Sequence, residues 1–129
     1  GRAALLPVDS DRSARRIRDA LAHRFGVDVA VVVSDTFGRP WRRGVTDVAI
    51  GCAGLRPVVD LRGTTDALGR ELQVTEVAVV DEIAAAAELV MGKAAGVPVA
   101  VVRGIDPAWF GDGSVVDDVV RSPDEDLFR

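Results

Sequence analysis

Apolar and polar positions follow different registers along this chain, and the register changes at glycines. After Asp9-Ser10-Asp11, a run of N-cap residue types, Ala14, Ile17, Leu21 and Phe25 recur at spacings of three and four. That spacing predicts a helix with one apolar face, ended by Gly26, with Arg15, Arg16, Arg18 and Arg24 mainly on a solvated side. The five apolar residues Val29 to Val33 predict a buried strand, and Val48 and Ile50 alternate with polar or small neighbours as a second. Leu55 to Leu61 reads as a third strand, turning at Arg62-Gly63-Thr64-Thr65-Asp66, and Leu72 to Val77 alternates as a half-exposed fourth. Asp81-Glu82 opens a helix over Ile83 to Met91, whose four consecutive alanines imply close packing. Gly92 ends it, and Val97 to Val102 predicts a final buried strand. Several strands in a row between two helices predict an α+β fold, a mixed sheet with packed helices, rather than a βαβ array.

The strongest chemical signal lies just after the first strand, in Ser34-Asp35-Thr36-Phe37-Gly38-Arg39-Pro40-Trp41-Arg42-Arg43-Gly44. The pattern predicts that this stretch is a loop at a strand end, where α/β proteins place ligand chemistry. Asp35, with the hydroxyls of Ser34 and Thr36, offers hard oxygen donors for a metal ion such as magnesium, which needs one or two carboxylates plus substrate phosphates and water. Arg39, Arg42 and Arg43 present guanidinium forks suited to phosphate or carboxylate.

Other candidates carry competing readings. Asp47 suits a solvent-facing or turn-satisfying role as well as a ligand role, and Asp81-Glu82 reads first as a helix N-terminal device. Arg62 and Asp66 read as an ion pair across a turn, ahead of an anion-binding loop. Lys93 suits either the preceding helix C-terminus or a phosphate. His23 is structural or exposed, and Cys52 a small core residue. One histidine excludes a Ser/His/Asp constellation, and no Walker loop or dinucleotide fingerprint is present.

Composition narrows the class. The 129 residues make one domain's worth, 48% hydrophobic, with no apolar run long enough to span a bilayer and one cysteine. The short apolar stretch 3–7 is no signal peptide, so a cytoplasmic protein is expected. A net charge of −4 argues against nucleic acid as a main partner. That charge is concentrated near the end of the chain. From Gly104 onward seven acidic residues stand against two basic ones, whereas residues 1–103 carry thirteen and fourteen. The body is nearly neutral and the tail acidic.

Taken together, the motifs resemble the coenzyme F420:L-glutamate ligase (F420-0:gamma-glutamyl ligase) family. They are Leu5-Leu6-Pro7 to Asp11, Ser34 to Arg42, Val48-Ala49-Ile50-Gly51, and Arg62-Gly63 with Asp66, Gly69, Arg70 and Leu72. The order continues through Asp81-Glu82, Ala84 to Ala87, Leu89 to Gly92 and Val102-Arg103-Gly104. The resemblance implies GTP-dependent addition of L-glutamate to coenzyme F420-0, through an acyl phosphate made with the GTP γ-phosphate. It implies Mg²⁺ or Mn²⁺, with K⁺ as an accessory ion, and a homodimer. It places metal ligation on Asp35 and Thr36. Nucleotide or substrate contacts fall to Ser34, Arg39, Arg42 and the Met91-Gly92-Lys93 turn; no catalytic residue is assigned.

Family ligases are about twice this long, so the resemblance makes residues 1–104 the C-terminal part of the ligase domain. Residues 105–129 resemble the acidic linker of actinobacterial two-domain members, which precedes a flavin domain. Two alternatives stand beside a ligase half-domain: a non-catalytic module binding metal or an anion through the same loop, and a dimerisation module.

Overall fold

A computed structural model of the chain describes residues 5–128. Arg129 of the acidic tail and the first two residues of the apolar stretch 3–7 lie outside the described residues. The element order is α1 (Ser10–Phe25), β1 (Val31–Arg39), β2 (Arg42–Ala53), β3 (Val59–Asp60), β4 (Glu76–Val77), α2 (Val79–Met91), a 3-10 turn (Pro107–Trp109) and α3 (Val115–Asp118). The class is α+β. Both ladders among the described residues are antiparallel: β1 with β2, and β3 with β4.

Helix α1 begins where expected, with the Asp9 side chain accepting from Arg12 N–H, and ends on Gly26 in the left-handed conformation. Its buried stripe is rotated from the expected one. Asp11 and Ala14 are buried and Arg18 and Leu21 half-buried, while Ile17 and Phe25 are exposed. Arg18 turns inward because Nε donates to the Val29 carbonyl and the guanidinium pairs with Asp28.

The largest departure is at the motif. Ser34 to Arg39 is not a loop: β1 runs through it, and the chain reverses only at Pro40-Trp41 to enter the 12-residue β2. The buried parity of β2 is also the opposite of the expected one. Asp47 and Ala49 are buried while Val48 and Ile50 are half-buried, and the Gly51, Cys52 and Ala53 that follow are all buried. Gly51, on the other face from Ala49, has no room for a side chain because α1 crosses closely there; a Cβ would land on the Ser10 carbonyl carbon. Between Val33 and Ser34 the register jumps by one residue, leaving Ile50 as a bulge.

The core is small: Ala49, Cys52, Leu55, Val80, Ala84 and Val115, with Ala30, Val32, Ile83, Ile105, Trp109 and Val119 packed against it. Residues 105–119, expected in the acidic tail, thus share the core of the body. Asp11 secures them, accepting from the N–H groups of Cys52, Val115 and Val116.

Other expectations are corrected. The third and fourth strands shrink to Val59–Asp60 and Glu76–Val77. Helix α2 starts two residues before Asp81. Arg62 pairs with Asp60 and Glu76 rather than Asp66, whose carboxylate caps the N–H groups of Leu68 and Arg70. Val97–Val102 forms no strand: it has no ladder partner among the described residues, with Val99 71% and Val101 76% exposed. An extended segment becomes a strand only beside a neighbour that takes up its backbone groups.

Candidate functional site

The outer half of the β1–β2 hairpin carries the polar residues. Within a strand, successive side chains point to opposite faces, so Ser34 and Thr36 share one face and Asp35 takes the other. Ser34 pairs with Ala49 across the ladder, and Thr36 with Asp47. Both hydroxyls therefore reach the same carboxylate. Ser34 Oγ donates to Asp47 Oδ2 at 2.9 Å, and Thr36 Oγ1 donates to Asp47 Oδ1 at 3.4 Å. Lys93 completes the group from the turn after α2, its Nζ 3.5 Å from Asp47 Oδ1. The Asp47 side chain is only 6% exposed while that of Lys93 is 55% exposed.

Asp81, in the first turn of α2, accepts from Ala49 N–H at 2.9 Å. That N–H lies beside the Ile50 bulge, so the carboxylate ties α2 to β2 where the ladder is interrupted. Asp35 is exposed on the opposite face, and its Oδ1 accepts from Thr36 N–H at 2.7 Å.

Arg39 and Arg42 face each other across the hairpin end. Like charges in that position repel and favour an anion between or beside them. Arg39 Nε is buried with no hydrogen-bond partner, while Arg42 and Arg43 are exposed. Gly44, at φ +85°, supplies the left-handed turn that lets β2 leave the tip. Trp41 at the tip stacks on Phe128, with ring centroids 6.0 Å apart.

A family model described as F420-0:Gamma-glutamyl ligase matches residues 1–104. The chain belongs to the F420-0:gamma-glutamyl ligase family. It is 47% identical over 132 residues to coenzyme F420:L-glutamate ligase of Methanopyrus kandleri, covering 100% of this chain and 52% of that protein. The protein of the same name from Methanothermobacter thermautotrophicus is 45% identical, with 100% and 52% covered. That from Haloarcula marismortui is 48% identical over 126 residues, with 97% and 48% covered. The chain spans about half the length of the curated relatives it matches.

In this ligase-family chain, the structure brings Ser34, Thr36 and Lys93 together around Asp47. It puts Asp35 on the other face of the same strand and Arg39 and Arg42 at the hairpin end, while Met91 ends α2 and Gly92 leads into the turn that carries Lys93. Sequence reasoning left Asp47 undecided and missed its central place. The available signal was a carboxylate two residues before Ala49, on the strand face that Ala49 buries. Asp81 was read as a helix device; its bond to β2 depends on a bulge that no local pattern announces.

No three His, Cys, Asp or Glu side chains converge as a metal cage among the described residues. No helix among them is long and apolar enough to cross a membrane.

Proposed function

We propose that this chain carries part of the site of a GTP- and divalent-metal-dependent ligase that joins L-glutamate to coenzyme F420-0. The observation that best supports this reading is the grouping of Ser34, Thr36, Asp47 and Lys93 beside an arginine-bearing hairpin end. The names of the relatives support the reaction. On this reading the chain is the C-terminal half of the ligase domain in a cytoplasmic homodimer, and the other half completes the pocket.

The donor set suits a hard divalent ion in kind. An ionised carboxylate only accepts, so the Thr36 hydroxyl must give its hydrogen to Asp47, and its oxygen lone pairs stay free for a cation. Asp35 offers an exposed carboxylate on the other face of the strand. Such a partial shell is what magnesium or manganese accepts when phosphate oxygens and water fill the rest. Asp35 and the Thr36 hydroxyl lie on opposite faces of β1, so each would hold an ion separately rather than share one, and an ion bound at either would supply neutralisation of phosphate charge. Lys93 and the paired Arg39 and Arg42 then bind and orient anionic groups of GTP and the acyl substrate. Transfer of the γ-phosphoryl group to the substrate carboxylate yields GDP and an acyl phosphate. The glutamate amine attacks that carbonyl and phosphate leaves.

Calorimetric titration with GTP and Mn²⁺, comparing the wild-type protein with Asp35→Ala, tests the reading. Metal-linked GTP binding should disappear in the variant while the fold is retained. Equal binding by both proteins would remove Asp35 from the metal site.

A further inference from the structure

We propose that Asp47 is the positioning residue of this site, acting through Lys93; the proposal rests on the ligase reading above. Asp47 has a nearly buried carboxylate on the strand face it shares with Ser34, Thr36 and Ala49, and both of its oxygens are engaged. Ser34 holds Oδ2 from one side and Thr36 holds Oδ1 from the other, both from β1. The carboxylate is thereby locked to the hairpin before Lys93 meets it.

Lys93 is the single lysine of the chain. It sits one residue beyond the Gly92 that ends α2, on a flexible stem of four methylenes. Left alone, that stem samples many rotamers, and a ligand would have to order it on binding. The contact to Asp47 Oδ1 fixes its end beside β1 instead. An ammonium has three donors; one faces Asp47, and the half-exposed position leaves the others turned outward for phosphate oxygens. Preorganisation of this kind acts on ligand affinity rather than on the chemical step.

The test is a double-mutant cycle in the complete ligase. Its variants are Asp47→Asn, Lys93→Gln and the pair, with GTP affinity read by calorimetry and KM and kcat for GTP read separately. Asp47→Asn should weaken GTP binding about tenfold and raise KM with kcat nearly unchanged. The double variant should be no weaker than Lys93→Gln alone. Additive losses, or a fall in kcat with KM unchanged, would overturn the positioning role. If Asp47→Asn does not fold, Asp47→Leu with Lys93→Met removes both charges together. Its GTP affinity should equal that of Lys93→Met, and a further loss would count against the proposal. A wild-type ligase that binds GTP but forms no glutamyl product would refute the proposed reaction while leaving the cycle readable. One that binds no GTP would refute both.

Discussion

Replacing Asp11 with alanine should loosen the joint between three elements. Its carboxylate is 4% exposed and lies in the first turn of α1. It accepts from Cys52 N–H at 2.8 Å, Val115 N–H at 2.9 Å and Val116 N–H at 3.2 Å. The first holds the end of β2, and the other two hold the start of α3. Hydrogen bonds to a charged group contribute about 1.5–3 kcal/mol each, and buried donors left without a partner are costly. Val116 is exposed, so water replaces its bond and its share is small. Counting the Cys52 and Val115 bonds gives a loss of roughly 3–6 kcal/mol, a large part of the ~5–15 kcal/mol that holds a typical domain. Asp11→Asn keeps an acceptor but can turn an amide donor toward one of the three N–H groups, and should lose about 1–2 kcal/mol. Urea unfolding followed by circular dichroism measures both, and hydrogen exchange at Val115 and Val116 reports release of α3. A loss below about 1 kcal/mol for Asp11→Ala, or unchanged exchange at those amides, would refute the reasoning.

Gly51→Ala should cost about 1–3 kcal/mol, toward the upper end, because the added methyl meets α1 backbone at Ser10 rather than a movable side chain; an unchanged thermal midpoint would contradict the close crossing. Cys52 is held up at about 11 by burial first and by the Asp11 charge second. Its folded value lies above the unfolded one, so the stability it contributes is full below pH ~9 and is lost as pH rises from there through about 11. Its thiol should resist a disulfide reagent at pH 8 until the protein unfolds, and rapid labelling of the folded chain would overturn this. Asp60 is held down at about 2, chiefly by the hydrogen bonds from the Arg62 side chain and backbone. Here the folded value is the lower one, so its small surface contribution is present above pH ~4 and lost as pH falls through about 2. An NMR titration of the Asp60 carboxyl with its midpoint near 4 would show that the ion pair does not form in solution.

The helix ends were legible because their causes are local. Asp9 caps its own helix and Gly26 relaxes into a left-handed conformation at no steric cost, with partners only a few residues away. The facing of each element was less legible. In α1 the apolar positions alone pointed to Ala14, Ile17, Leu21 and Phe25, yet the helix turns Arg18 inward because Asp28 and the Val29 carbonyl receive its guanidinium. In β2 the larger side chains pointed to Val48 and Ile50, yet Ala49 is the residue buried in the core that α2 completes, and on the other face α1 leaves room only for Gly51. Val97–Val102 shows the limit of hydropathy. Its composition suits a buried strand, but burial needs a surface to lie against.

The site divides in the same way. The sequence by itself determined which chemistry is present: hydroxyls, a carboxylate and arginines crowded between residues 34 and 43, one lysine after a helix-ending glycine, and motifs in the order of one ligase family. Only the tertiary structure decided which of these groups meet. Strand alternation separates Asp35 from Thr36, neighbours in the chain. The antiparallel register carries Asp47 to Ser34 and Thr36, and the end of α2 brings Lys93 to Asp47 across 46 positions. Side-chain chemistry is a property of each residue, whereas proximity is set by how the elements pair and pack.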